Sequence, residues 1–227
     1  EIGDYAFGSR SSMQYSNLTE VILPDTVETI GEYAFSYLQN LKSVYIPSSV
    51  KRIEQYAFAF VGYTYFDTEI GYDPDDPGLV IGMPTSYNIV INPIDAGFDV
   101  PGSVEYIGEC AFGYSAVRNA DLRNIDPNEL GIANFISCFY LETCQLPETT
   151  EVLPMAMFYG CTSLEVEFPE KLRSIGDQAY GLCGWVHPID STKIPETVTE
   201  IGDAGFGVSR FVDNEFVMPE NLTSIGK

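Results

Sequence analysis

The chain has 227 residues, of which 45% are hydrophobic and 13% aromatic, and this composition excludes an intrinsically disordered protein. Asp and Glu together number 33 against 11 Lys and Arg, so the formal net charge is -22. Such a charge opposes binding to nucleic-acid backbones and to anionic membrane surfaces, and we expect neither as a partner. No signal peptide or transmembrane run is visible, so we expect no direct membrane insertion by these residues.

One six-residue motif recurs along the whole chain and predicts its organisation. Its clearest form is Ile-Gly-Glu-Tyr-Ala-Phe at Ile30–Phe35. Successive copies start 22 to 28 residues apart, except for one interval of 54 between Ile53 and Ile107. A period in the twenties is typical of a solenoid, in which each unit buries its apolar side against its neighbours. Copies one to eight, followed by an incomplete ninth, start at Ile2, Ile30, Ile53, Ile107, Leu130, Leu153, Ile175, Ile201 and Ile225.

Copy two and the residues after it show the elements expected in each unit. Val44 and Ile46 alternate with a polar position, which predicts a short strand, and Pro47 ends that strand because it has no N–H to donate. The apolar residues that follow, up to Ala57 and Phe58, are spaced by three and four. This spacing predicts a short strand or turn that leads into about one helical turn.

The last aromatic residue of each motif is predicted to form the core. Stacked coils place equivalent positions directly above one another, so these rings should make an aromatic column inside the coil. The Gly at the second position of the motif, Gly31 in copy two, is expected to allow a tight backbone corner. The predicted column consists of Phe35, Phe58, Phe112, Phe135, Phe158 and Phe206, with Tyr180 in copy seven.

The pattern from Leu41 to Phe58 resembles the bacterial leucine-rich repeats of the BspA-like, Treponema pallidum type. The Cys position of that family, three residues after the motif Phe, is filled by Cys138, Cys161 and Cys183. The resemblance implies an α/β repeat solenoid, a right-handed leucine-rich-repeat coil with a short parallel β-strand per ~23-residue repeat and short helical or 3-10 turns on the other side. It also implies a bacterial cell-surface or secreted protein that acts in adhesion and binds host or extracellular-matrix proteins.

The repeats predict a single solenoid over residues 1–227, with about eight repeats, that is a fragment of a longer chain. Residues 61–97 depart from the repeat pattern and form either a degenerate extra coil or a long insertion. Within them Asn88–Pro93 has the pattern of a strand, which favours an ordered hairpin or coil.

The residues that could carry chemistry do not form a catalytic or metal-binding pattern. The chain has 5 Cys without zinc-type spacing, so we expect buried, reduced thiols that act as small apolar side chains. His187 is the only histidine, and no nucleophile motif accompanies it. The acidic turn Asp73–Asp76 lacks the Gly and distal Glu of an EF-hand, so we expect no tight calcium site. We therefore expect no cofactor, no metal and no enzymatic activity.

The candidate binding surface is the outward face of the strands together with the insertion. We expect a non-catalytic, monomeric module that binds a host or matrix protein there, with Ile22 and Tyr45 towards one end of the face. Two alternatives stay open: a carbohydrate-binding or accessory module that uses Trp185 and the insertion, and a structural spacer. The candidate partner-binding residues are Tyr45, Asp99, Asp121, Gln145 and Glu167 on one outward column, and Tyr63, Tyr65 and Tyr72 in the insertion.

Overall fold

The structure is a computed structural model, and it describes residues 1–10, 16–62, 71–73, 76–81 and 97–227. The chain winds into a parallel β-solenoid of about seven turns. The strands are β1 (Glu20–Ile22), β2 (Thr29–Ile30), β3 (Ser43–Tyr45), β4 (Arg52–Ile53), β5 (Gly71–Asp73), β6 (Asp76–Ile81), β7 (Phe98–Val100), β8 (Tyr106–Ile107), β9 (Val117–Asp121), β10 (Thr143–Gln145), β11 (Val152–Leu153), β12 (Ser174–Ile175), β13 (Glu200–Ile201) and β14 (Ser224–Ile225).

Two ladders of short parallel strands run along the stack of coils. The first consists of β1 paired with β3, and of β7, β9 and β10 paired in that order. We call its outward side the strand face. The second ladder is formed at the motif Ile, by β2, β4 and β8 and again by β11 to β14. Inward residues of both ladders, such as Val44 and Ile53, are buried. The predicted leucine-rich-repeat coil is therefore confirmed.

The helical turn predicted around each Ala-Phe pair does not form. In copy two this segment is a series of turns with positive φ at Tyr33 (53°) and Tyr37 (61°). Alternate N–H groups donate to the next coil: the Phe35 N–H bonds the Ala57 carbonyl at 2.8 Å. Backbone donors that point to a neighbouring coil cannot close a helix along their own chain. Among the described residues, the 3-10 helices are Pro127–Glu129, Ser191–Lys193 and Val212–Asn214.

The aromatic column is confirmed. Its rings lie almost parallel, with centroid separations from 5.1 Å between Phe35 and Phe58 to 5.9 Å between Phe135 and Phe158. Tyr180 occupies the same slot in copy seven, 5.5 Å from the rings of Phe158 and Phe206. All members except Phe206 are buried. The column is thus a continuous hydrocarbon core along the solenoid axis.

The motif Gly is needed for close packing between coils. Gly31 and Gly176 do not have positive φ, so the corner expected from the sequence is not the reason for Gly. A Cβ at Gly176 would lie 2.6 Å from the Leu153 carbonyl oxygen and 2.8 Å from the Met155 nitrogen, both on the preceding coil. Any side chain there would push neighbouring coils apart and weaken the hydrogen bonds between them.

The irregular segment adds no coil between copies three and four. Ile53 pairs directly with Ile107, and the rings of Phe58 and Phe112 stack at 5.5 Å. Copies three and four are therefore neighbours in the stack, and the segment between them is an insertion in the sequence of coils. Within it β5 and β6 pair antiparallel. The strand predicted at Asn88–Pro93 lies outside the described residues.

Candidate functional site

The strand face carries two adjacent apolar side chains at one end. Ile22 on β1 is directly opposite Tyr45 on β3 in the parallel register. Their side chains are 70% and 54% exposed, respectively. Large exposed apolar side chains that lie next to each other form a patch that a protein partner can cover. We call Ile22 and Tyr45 the strand-face patch.

Asp99 lies in a different column from the one that the sequence predicts. The register shifts between Phe98 and Asp99, so that Asp99 pairs with Asn119 and not with Asp121. The Asn119 amide donates to the Asp99 carboxylate at 2.9 Å, and Thr143 donates to the Asn119 side-chain oxygen at 2.8 Å. The shift occurs at Arg118, the additional residue of β9 that has no counterpart in β7. Asp99 therefore belongs to a polar ladder across three strands.

Asp121 is paired with a cation and does not act as a free negative charge. Its carboxylate accepts two hydrogen bonds from the Arg123 guanidinium, at 2.9 and 2.6 Å. These bonds lower the pKa of Asp121 below its ordinary value. Gln145 is opposite Asp121 in the register and is exposed. The charge of Asp121, one of the candidate partner-binding residues, is thus locally neutralised.

The strand face is shorter than predicted. Glu167 is exposed, but its segment forms no strand, and Lys193 lies in the 3-10 helix Ser191–Lys193. Copies six to eight therefore contribute no strand to the strand face, and their parallel strands, β11 to β14, lie in the second ladder. Copy seven has the 3-10 helix Ser191–Lys193 where its strand would lie, so the Glu167 segment has no strand beside it on that side.

The predicted site also includes three residues of the insertion. Tyr63 and Tyr65 lie outside the described residues, as does Asp75 of the acidic turn. Tyr72 lies in β5, where only the backbone is described. Their roles in partner or calcium binding stay predictions.

The cysteines are all buried, as predicted, and three of them form a regular ladder. The thiols of Cys138, Cys161 and Cys183 donate to the carbonyl of the motif aromatic in the preceding coil, at 2.9, 3.0 and 3.1 Å. Burial raises the pKa of Cys138 and of Cys183 to about 12. A protonated, buried thiol is neither a nucleophile nor a metal ligand. Over the described ranges, no three His, Cys, Asp or Glu side chains are grouped closely enough to hold a metal ion.

A second group of exposed apolar residues was missed by the sequence analysis. The third motif position is Asp, Glu or Gln in six copies but Ile132 and Met155 in copies five and six. These two side chains are 41% and 47% exposed. Comparing this position across the copies would have identified them. We call the residues at the third motif position of all eight copies the third-position row. It consists of Asp4, Glu32, Gln55, Glu109, Ile132, Met155, Asp177 and Asp203.

The exposed Trp185 has one ring face covered. The guanidinium of Arg210 lies 3.7 Å from the centroid of its indole, which is a cation–π contact. His187 nearby is exposed. In the part of the chain that the structure describes, no helix is long and apolar enough to cross a membrane.

Comparison with known families gives a match that covers most of the chain. The family described as "BspA type Leucine rich repeat region" matches residues 1–71 and 96–212 in 6 copies. No curated protein sequence matches the chain significantly.

Several solved structures have a similar fold. A leucine-rich repeat protein from Bacteroides ovatus has 22% identity and a TM-score of 0.56, over 92% of this chain and 51% of that one. One from Eubacterium ventriosum has 18% identity and a TM-score of 0.47, over 92% and 41%. A leucine rich cell surface protein from Faecalibacterium prausnitzii has 23% identity and a TM-score of 0.42, over 92% and 59%. The chain thus spans about half the length of these proteins, and the likeness to them concerns the fold alone.

Proposed function

The chain belongs to the BspA-type leucine-rich repeat family of bacteria, and on this premise we propose that it is a non-catalytic protein-binding module of a cell-surface or secreted protein. Members of this family are often surface-associated. In the proposal, the module binds a host or extracellular-matrix protein through its strand face. Adhesion of the bacterium to host tissue is the role that such binding serves.

The observation that carries the proposal is the strand-face patch. Ile22 and Tyr45 are adjacent and largely exposed, and they are not needed to fill the core. Tyr is favoured at protein interfaces because its ring buries a large area while its hydroxyl still finds a polar partner. The polar ladder that begins at Asp99 supplies hydrogen-bonding groups on the next strands of the same face. An apolar anchor bordered by polar groups is the usual arrangement of a protein-binding surface.

The proposal is tested by binding to a panel of purified extracellular-matrix and host-surface proteins, measured by biolayer interferometry. We expect at least one of them to bind, and we expect Tyr45→Ala to weaken that binding by about tenfold or more, the loss typical of an aromatic anchor. Ile22→Ser should act in the same direction. Val217→Ser is the matched control, because Val217 has the equivalent position in copy eight and is 48% exposed.

Two results would refute the proposal. Unchanged binding of Tyr45→Ala and Ile22→Ser to every partner found would exclude the strand face as the binding site. Hydrolysis of a glycan or peptide by the purified chain would contradict a non-catalytic role.

Glycan binding is the second candidate, because Trp185 keeps part of its indole exposed. Sugars stack on the faces of aromatic rings, and Arg210 covers one face of this indole. A glycan array with the parent chain and with Trp185→Ala separates the two candidates: signals that are lost in the variant favour glycan binding.

A further inference from the structure

The third-position row is continuous across the coils, so its residues are true neighbours. The N–H of Cys110 donates to the carbonyl of Ile132 at 3.1 Å, and the N–H of Ala133 donates to the carbonyl of Met155 at 3.0 Å. The N–H of Ala156 donates in turn to the carbonyl of Asp177 at 2.8 Å. Ile132 and Met155 therefore lie side by side, with Glu109 one coil before them and Asp177 one coil after them.

The fold does not require apolar side chains at this position. Where the row has Asp, the carboxylate supports the stack: Asp4 accepts the backbone N–H of Glu32 at 2.9 Å, and Asp177 accepts that of Asp203 at 2.7 Å. Ile132 and Met155 cannot accept such a bond, and they are 41% and 47% exposed. The two coils thus lack the hydrogen bond that the Asp copies make and present apolar surface in its place. This combination indicates a surface that is used for contact and not for stability.

The residues that directly follow the exposed pair belong to a small apolar cluster. Ala133 and Ala156 are buried there, and Ile136 packs against them. The backbone next to each exposed side chain is therefore fixed by buried contacts. A rigid apolar surface loses little conformational entropy when a partner covers it.

We propose that Ile132 and Met155 form a docking site for an extended protein segment that has one apolar side chain between two Lys or Arg side chains. Glu109 and Asp177, both exposed, border the site at its two ends. They are three coils apart, which is about 14 Å at the usual strand separation and matches four residues of an extended segment. Because side chains of a strand alternate, residues one, three and five of the segment face the row together.

The acidic border selects this partner over a second copy of the chain. Two copies joined through this surface would bring Glu109 and Asp177 towards carboxylates of the same surface. The chain as a whole has a net charge of -22, so self-association is opposed by electrostatic repulsion. A basic segment gains attraction from both borders instead. The site is separate from Ile22 and Tyr45, and so its test is independent of the strand-face proposal.

The test is a methyl NMR titration of the whole chain, labelled at the methionine methyl groups, with a synthetic peptide. The probe is Lys-Thr-Leu-Thr-Lys with blocked ends, and the controls are Glu-Thr-Leu-Thr-Glu and Lys-Thr-Ser-Thr-Lys. We expect the Met155 methyl signal to shift with a dissociation constant on the order of 1 mM, as befits a five-residue ligand. Met218 is exposed but lies elsewhere on the chain, so its signal reports non-specific binding and should not move.

Ile132→Gln keeps the Met155 reporter and introduces the uncharged polar residue that copy three has at this position, Gln55. It should weaken binding of the probe by about tenfold, whereas the matched variant Met218→Gln should leave the affinity unchanged. The proposal is overturned if the Met155 signal does not move, if it moves equally with the acidic or the Ser control peptide, or if Ile132→Gln binds like the parent. A concentration-dependent dimer that Ile132→Gln abolishes in sedimentation would also overturn it, because the occupant would then be a second copy.

Discussion

Replacing Tyr180 with Phe is expected to stabilise the protein. Tyr180 is the only Tyr of the aromatic column between Phe35 and Phe206, and its ring is buried between the rings of Phe158 and Phe206. Its hydroxyl is also buried, and among the described residues it has no hydrogen-bond partner. A hydroxyl that loses water without gaining a partner costs about 1–3 kcal/mol.

The expected gain follows from this desolvation. Phe keeps both ring contacts and removes the unpaired hydroxyl, so the free energy of unfolding should rise by about 1–2 kcal/mol once the small space left by the oxygen is considered. For a chain of this size, that gain corresponds to a rise of about 2–8 °C in the melting temperature. Urea unfolding followed by circular dichroism measures the free energy, and calorimetry measures the melting temperature.

The reverse substitution in the adjacent coil is the control. Phe158→Tyr introduces a buried hydroxyl into a slot of the same column and should destabilise the protein by a similar amount. If Tyr180→Phe is no more stable than the parent, the reasoning is refuted, because the Tyr180 hydroxyl must then have a partner.

Two further predictions concern the same core. Phe135→Ala should lower the free energy of unfolding, measured by urea unfolding, by about 3–5 kcal/mol. The reason is that the Phe135 ring is stacked on both faces and the hydrogen bonds between coils prevent collapse of the cavity. A loss below about 1 kcal/mol would contradict a buried position. Burial raises the pKa of Cys144 above the ordinary 9.0, so the unfolded chain loses this proton first and stability falls as the pH rises through about 9 and above. Cys144→Val introduces the residue of copy two at this position and should reduce the loss of stability between about pH 9 and about pH 10 by about 1 kcal/mol, measured by urea unfolding. An unchanged loss would show that Cys144 already titrates in the folded chain.

The core could be predicted from the sequence because burial imposes the same residue type on every coil. Phe58 and Phe112 are separated by the long insertion, yet their rings stack as closely as those of consecutive copies. The cysteines were placed correctly for the same reason. Contacts along the stack depend on the repeat position alone, and the repeat position can be counted from the sequence.

Features that depend on one coil could not be predicted in this way. The spacing of Val50, Ile53 and Ala57 fits a helical turn as well as the observed turns, and only the hydrogen bonds to the next coil distinguish them. The pairing of Asp99 with Asn119 depends on one additional residue in β9, which moves the register by one position. The pairing of Asp121 with Arg123 is specific to copy four, where Arg123 replaces the usual Pro.

The alternation of apolar and polar residues also did not predict where the strand face ends. The residues around Glu167 alternate as those of β10 do, but a strand needs a partner as well as a pattern. Copy seven, whose equivalent residues lie in the 3-10 helix Ser191–Lys193, offers no strand on one side, so the Glu167 segment has only β10 as a possible partner. Periodicity within one copy contains no information about the backbone of the next.

The direct contact between coils three and four has a consequence for how this protein can vary. Ile53 meets Ile107 whatever lies between them, and the Ala116 N–H bonds the Val61 carbonyl at 3.0 Å beside the point where the insertion leaves the stack. Doubling the length of such a connection costs only about 0.6 kcal/mol in loop-closure entropy. The scaffold thus contains an insertion site, where a segment of different length or sequence can be exchanged while the strands of the neighbouring coils keep their register. A lineage of such proteins can acquire new recognition elements at this position without redesigning the solenoid, and a protein engineer can use the same two anchor points to display a foreign peptide.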